Sequence, residues 1–360
     1  MTRLLAVEPV FPAHRYSQGE ITDALLAMMA PDRATERVMR RLHGGCGVDH
    51  RYLALPLERY GELGDFGRRN DVFIEEAVEL GAAAVRGALD RAGIAPEEVD
   101  IIVSTTVTGV AVPSLEALIG ARVGLRSDVV RVPLLGLGCM GGAAGVARLH
   151  DILRGRPHSV GVLVAVELCS LTIQREDTSP ANLVASGLFG DAAAALVAVG
   201  SRHPRAGHRQ GRDGQVRARV VDSTSRIYAG TEDAMGWQVG AGGLRVVLSA
   251  EVPDLVRDNV GRDVAAFLAS HGRTVADIRW WVAHPGGPKV IDALVDTLGV
   301  PAEALELTTR SLRTAGNLSS VAVLHILRDT MDRRPPPESR GLMMAMGPGF
   351  SLELVLLEAA

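Results

Sequence analysis

Cysteine is scarce in this sequence: Cys46, Cys139 and Cys169 are the only three in 360 residues. That is too few for a disulfide framework in so long a chain, and it points to a reducing cytoplasm. Charge of one sign is lacking too. The net charge is −4, which gives no global reason to expect nucleic acid or an anionic membrane as partner. Long apolar runs are absent, the run Val160–Val166 being ended by Glu167, far short of a membrane span. At the N-terminus the apolar residues reach Glu8 before a signal-peptide core forms. What remains is 47% hydrophobic and 22% charged residues, an ordinary globular composition with length for two core-forming halves.

One stretch organises the chain: Gly136-Leu137-Gly138-Cys139-Met140-Gly141-Gly142-Ala143-Ala144-Gly145. The apolar run Val129–Leu135 before it reads as a buried strand, and Val146–Leu153 after it has helical spacing. Cys139 therefore sits where a strand turns into a helix, among residues small enough to admit other backbones. A helix N-terminus favours negative charge, so a thiol placed there tends toward thiolate. Taken alone, a buried and inert thiol explains Cys139 equally well.

Strands and helices alternate along the chain. Residues 3–10 read as a first strand, 18–43 as a helix, 71–93 as an amphipathic helix and 101–106 as a strand. The plan then repeats. Asp100 and Asp277 precede matching strands 177 positions apart, and Cys139 and Asn317 precede matching helices 178 apart. Val162–Val166 matches Leu342–Met346 at 180, and Asp191–Val199 resembles Ser351–Leu357. Four matched elements at nearly one offset indicate a duplicated α/β unit with mainly parallel strands, divided as 1–220 and 221–360. Arg202, Arg205, Arg209, Arg212, Arg217 and Arg219 fall in a connecting segment that reads as exposed.

Duplication brings equivalent positions together, so Cys139 and Asn317 should face a common cavity. His284 ends the strand Trp280–Ala283, the strand end where α/β proteins build their sites. A thiolate is a nucleophile, and His and Asn N–H groups together form an oxyanion hole. Asn is no useful base, which disfavours a hydrolase. Thiol acylation with enolate stabilisation describes decarboxylative Claisen condensation.

The motifs Gly138-Cys139-Met140-Gly141-Gly142, Leu188-Phe189-Gly190-Asp191, Ala283-His284-Pro285-Gly286-Gly287-Pro288, Gly316-Asn317-Leu318-Ser319-Ser320 and Gly347-Pro348-Gly349 resemble the type III polyketide synthases, the chalcone synthase-like branch of the thiolase superfamily. The resemblance covers essentially the whole chain. It implies a duplicated, five-layered αβαβα thiolase-like fold and a homodimer. It implies that Cys139 carries the growing chain, that His284 and Asn317 stabilise the enolate and His284 keeps Cys139 ionised, and that Phe189 gates the tunnel. Acyl-CoA and malonyl-CoA or an alkylmalonyl-CoA are then substrates, with no cofactor or metal, and an α-pyrone or resorcinol-type product follows from an aliphatic primer. Gly286, Gly287, Gly347, Pro348 and Gly349 shape the site, while Trp237, Val246, Cys169 and Thr108 fall on its walls. Arg41 and Lys289 are candidates for CoA phosphates. Among plant relatives a Phe stands at Val246, a small residue at Trp237 and an interface Met at Val112, so this chain resembles bacterial members more. A β-ketoacyl carrier-protein synthase of the initiating type and an inactive thiolase-like scaffold are the alternatives. A hydroxymethylglutaryl-CoA synthase would want a Glu near the cysteine, and no such motif is visible.

Overall fold

The computed structural model describes residues 1–207 and 218–360. Its first unit opens with β1 (Arg3–Val10) and a small hairpin of β2 (His14–Ser17) and β3 (His50–Leu53), between which lie α1 (Gln18–Met29) and α2 (Arg33–Gly44). Then come α3 (Phe66–Ala92), β4 (Val99–Thr105), α4 (Leu115–Val123), β5 (Val130–Leu134), α5 (Gly141–Gly155), β6 (Val160–Leu168), α6 (Pro180–Leu188) and β7 (Asp191–Val199). The second unit begins with β8 (Ala218–Ile227) and the hairpin β9 (Met235–Gly240) and β10 (Gly243–Leu248). It continues with α7 (Val252–Ala269), β11 (Ile278–Ala283), α8 (Pro288–Leu298), α9 (Glu306–Ala315), α10 (Ala322–Asp332), β12 (Arg340–Gly347) and β13 (Ser351–Ala359).

The helix expected over 18–43 is two helices. Pro31 has no N–H to continue the first, and Ala30 turns left-handed at φ 44. Asp32 then caps the second by accepting from the Thr35 N–H.

Nine strands form one sheet in the order β11-β12-β13-β8-β1-β7-β6-β4-β5. It holds one pattern twice. The series β1-β7-β6-β4 and β8-β13-β12-β11 each have two antiparallel pairings and then a parallel one. Only β5 lacks a counterpart. The copies join where Arg3 and Leu4 of β1 pair with Arg219 and Ala218 of β8. The β7/β13 match is offset by 160 rather than 180, because the β6–β7 connection holds α6 while β12 and β13 are joined by Pro348–Phe350 alone. β5 is also not the buried strand expected: it is the sheet edge, its residues alternate between half-buried and exposed, and Leu135 after it is 72% exposed.

Alternation along the buried strands builds the layers. In β6, Leu163 and Ala165 face a core shared with α5 and α10, while Val162, Val164 and Val166 face α3 and α4. In β12, Met343 and Ala345 face the same central core, while Leu342, Met344 and Met346 face α7 and α8. Outer helices, one half of the sheet, central helices, the other half of the sheet and outer helices thus stack as the expected αβαβα arrangement. The central helices approach so closely that a Cβ on Gly142 would lie 2.1 Å from the Ser320 carbonyl oxygen. Gly142→Ala is expected to lower stability by about 2–4 kcal/mol in thermal or denaturant unfolding, the effect of overpacking against backbone. Gly155→Ala, at the open end of the same helix, is expected to stay within about 1 kcal/mol of wild type.

Candidate active site

Cys139 stands in the 3₁₀ turn Gly138–Met140 that leads into α5. Gly138 takes φ +50, and a Cβ there would lie 2.5 Å from the Pro348 ring, so glycine is required twice over. Gly347 packs against the Leu137 carbonyl and Met140. The Gly347-Pro348-Gly349 loop, which joins β12 to β13, therefore roofs the cysteine turn. Cys139 is half-buried.

Asn317 comes from the other half and meets the first through backbone. Its N–H donates to the Leu188 carbonyl (2.8 Å) and its carbonyl accepts from the Gly190 N–H (3.0 Å), so Asn317 and the gate candidate Phe189 form a β-bridge. The Asn317 side-chain oxygen accepts from the Ser319 N–H (2.9 Å), which leaves its NH₂ group as the donor. Ser319 is held at φ 50, an uncommon conformation for a residue with a Cβ. His284 is buried at the end of β11, where its N–H donates to the Met344 carbonyl of β12 (2.9 Å). Its Nδ1 is buried with no hydrogen-bond partner. Gly286 donates its N–H to the His284 carbonyl, and Gly287, at φ +140, caps α8.

Burial pushes the Cys139 thiol up to about 12, against a lowering hydrogen bond from Ser319. Burial also brings His284 down to about 4. Desolvation thus disfavours the charged form of each group, in opposition to the helix end, which favours a thiolate.

The sequence reading missed Glu167, the residue that ends the apolar run of β6. It is fully buried beside the site, where it accepts from Ser320 Oγ (2.5 Å), Ser319 Oγ (3.3 Å), Thr108 Oγ1 (3.0 Å) and the Val107 N–H (3.2 Å). A lone carboxylate inside a buried strand was the available signal. Burial raises Glu167 to about 7.

The wall candidates separate into two clefts. Cys169, Phe189, Trp237 and Val246 line one of about 370 Å³, in which Trp237 and Val246 are cross-strand partners of the β9–β10 hairpin. Thr108 lines the neighbouring cleft of about 230 Å³, which shares Thr172 with the first. Arg41 and Lys289 are both exposed, in the last turn of α2 and the first turn of α8. Those helix ends are close, because a Cβ on Gly47 would lie 2.9 Å from Pro288. Of the arginine-rich connection, Arg205 donates to the Ala92 carbonyl and Arg219 pairs with Glu358, while Arg209, Arg212 and Arg217 lie outside the described residues. Among the described residues no three metal-ligating side chains gather, and no helix is long and apolar enough to cross a membrane.

The raised Glu167 gives a pH dependence of stability. The folded state holds a proton that the unfolded carboxyl releases near its ordinary value of 4.5. Its contribution is present below that pH and is lost as pH rises toward 7. Glu167→Gln is expected to flatten the fall in stability between about pH 5 and 7 by roughly 1.4 kcal/mol per pH unit relative to wild type. Denaturant unfolding across that range reads it, and an unchanged slope contradicts the assignment.

Comparison with known proteins agrees over the whole chain. Residues 1–203 match the N-terminal domain of chalcone and stilbene synthases, and residues 219–360 match the C-terminal domain. A 1,3,6,8-tetrahydroxynaphthalene synthase of Streptomyces peucetius subsp. caesius is 48% identical over 357 residues, covering 99% of this chain and 93% of the relative. A phloroglucinol synthase of Pseudomonas fluorescens is 28% identical, covering 99% of each. The crystal structure of the 1,3,6,8-tetrahydroxynaphthalene synthase of Streptomyces coelicolor, a bacterial type III polyketide synthase, superposes with a TM-score of 0.90 at 29% identity over 99% of each chain. The chain belongs to the chalcone and stilbene synthase family: it is a type III polyketide synthase of thiolase-like fold, an acyltransferase that builds by decarboxylative condensation.

Proposed function

We propose that this enzyme uses malonyl-CoA as both primer and extender and closes the chain into a hydroxylated naphthalene. The observation that carries this reading is the 48% identity, over nearly the full chain, to a 1,3,6,8-tetrahydroxynaphthalene synthase. Such a product has ten ring carbons with oxygen at alternate positions. Two-carbon units alone supply that pattern, so no aliphatic primer is needed. Trp237, half-buried in the cleft wall, takes up volume that a long acyl primer would need, which replaces the aliphatic primer suggested by sequence.

In this reading Cys139 is the acyl carrier. Its thiol proton passes to neutral His284 as sulfur attacks the acyl-CoA carbonyl and CoA leaves. The next malonyl-CoA places its thioester oxygen on the N–H donors of His284 and Asn317. Carbon dioxide leaves, and the enolate so formed attacks the acyl group on Cys139. Phe189 gates the entrance, with exposed Arg41 and Lys289 near the CoA phosphates, and no further cofactor takes part. A homodimer is supported by the apolar side chains left exposed after the adjacent strands β4 and β5: Val110 at 50%, Val112 at 94% and Leu135 at 72%. The three free thiols support a reducing cytoplasm.

Purified protein given malonyl-CoA alone is expected to yield the naphthalene product by mass spectrometry and NMR, and Cys139→Ala none. Asn317→Ala is expected to slow carbon dioxide release by about 10²–10³-fold, the loss of one oxyanion donor. Product only from another acyl-CoA primer would overturn the primer assignment. Val112→Asp is expected to shift the protein from dimer to monomer in light scattering, and a wild-type monomer would contradict the interface.

A further inference from the structure

Arg51 of β3 is a fully buried guanidinium, 1% exposed, on the wall of the cleft that holds Cys169, Phe189, Trp237 and Val246. Two of its three nitrogens are engaged. Nε donates to Gln18 Oε1 (3.1 Å), and Nη1 donates to the Phe189 carbonyl (2.8 Å). Nη2 is buried with no hydrogen-bond partner. The nearby carboxylate, Asp191, is already occupied. Its Oδ1 accepts from the Ser170 N–H (2.9 Å), and its Oδ2 accepts from the Ala54 N–H (2.7 Å) and the Ser170 hydroxyl.

The guanidinium is also fixed in place. Gln18, which orients Nε, donates its own NH₂ to the Gly187 carbonyl (2.7 Å). Gly316, at φ +77, leaves only the space the Arg51 stem fills, since a Cβ there would lie 3.0 Å from Arg51 Cγ. The result is a preorganised positive donor on a residue of the cleft wall, with Nη2 lacking a protein acceptor.

A buried donor without an acceptor costs free energy that a ligand oxygen can relieve. A poly-β-keto chain carries an oxygen on every second carbon and forms enolates between them, whereas an aliphatic acyl chain of the same length offers none. We propose that Arg51 binds a ketone or enolate oxygen of the poly-β-keto chain as it lengthens from Cys139, and thereby selects a polyketide over an aliphatic chain in this cleft. The proposal rests on the malonyl-primed reading above and adds a residue to it.

Two ratios test it, and both are independent of how much active enzyme a variant preparation holds. One is full-length product to truncated tri- and tetraketides, with malonyl-CoA alone. The other is hexanoyl-primed to malonyl-primed product, with both CoA esters supplied. Arg51→Met keeps the stem and removes the donors. It is expected to lower the first ratio at least tenfold and raise the second at least tenfold. Arg51→Lys is expected to recover part of both changes. Unchanged ratios in folded Arg51→Met overturn the proposal, because a merely structural role would lower total activity without moving them. A further measurement keeps Arg51 intact: crystals of Cys139→Ala protein soaked with 3,5-dioxohexanoate are expected to show a ketone or carboxylate oxygen within hydrogen-bond distance of Nη2. The same compound bound away from Arg51 overturns it. Wild-type enzyme that makes nothing from malonyl-CoA would count against the primer assignment, while the soak still decides Arg51.

Discussion

The whole site depends on one close approach, between the turn carrying Cys139 and the segment Asn317–Ser320 of the other half. Gly142 admits the Ser320 carbonyl and Gly138 the Pro348 ring at distances no Cβ would allow, and a Cβ on Gly141 would lie a tight 3.2 Å from Ser320 Cβ. These three glycines let a sheet-to-helix turn in one copy of the fold lie directly against the equivalent turn in the other. Cys139 and Asn317, 178 positions apart in sequence, are brought to one seam by that contact. The β-bridge from Phe189 to Asn317 closes the same seam through backbone. Fold and chemistry therefore fail together if the seam opens.

The second governing effect is desolvation. Placing Cys139, His284, Glu167 and Asp191 under helices and sheet moves every one of them toward its neutral form. Arg51 is the exception. Burial lowers it only to about 10, so it remains a cation and gives the cleft its fixed positive group.

Much of this was legible in sequence because duplication leaves a numerical trace. Cys139 and Asn317 share an offset with the strands around them, and strand ends locate His284. The glycine motifs were readable because only glycine fits where backbones touch. What escaped was set by tertiary context. β5 reads as buried from its apolar residues, yet it lies at the sheet edge. Glu167 and Arg51 were missed because a single charge carries no periodicity, and its meaning comes from what surrounds it after folding. The helix end beside Cys139 favours a thiolate, and the opposing burial comes from distant elements that a local reading does not weigh.

The central claim, that chain growth takes place on Cys139, is tested most directly by intact-protein and peptide mass spectrometry after brief incubation with ¹³C-labelled malonyl-CoA. The account predicts labelled acyl groups heavier by successive two-carbon units, all on the peptide containing Cys139. Label on Cys46 or Cys169 instead, or product released without any acylated protein, would contradict it.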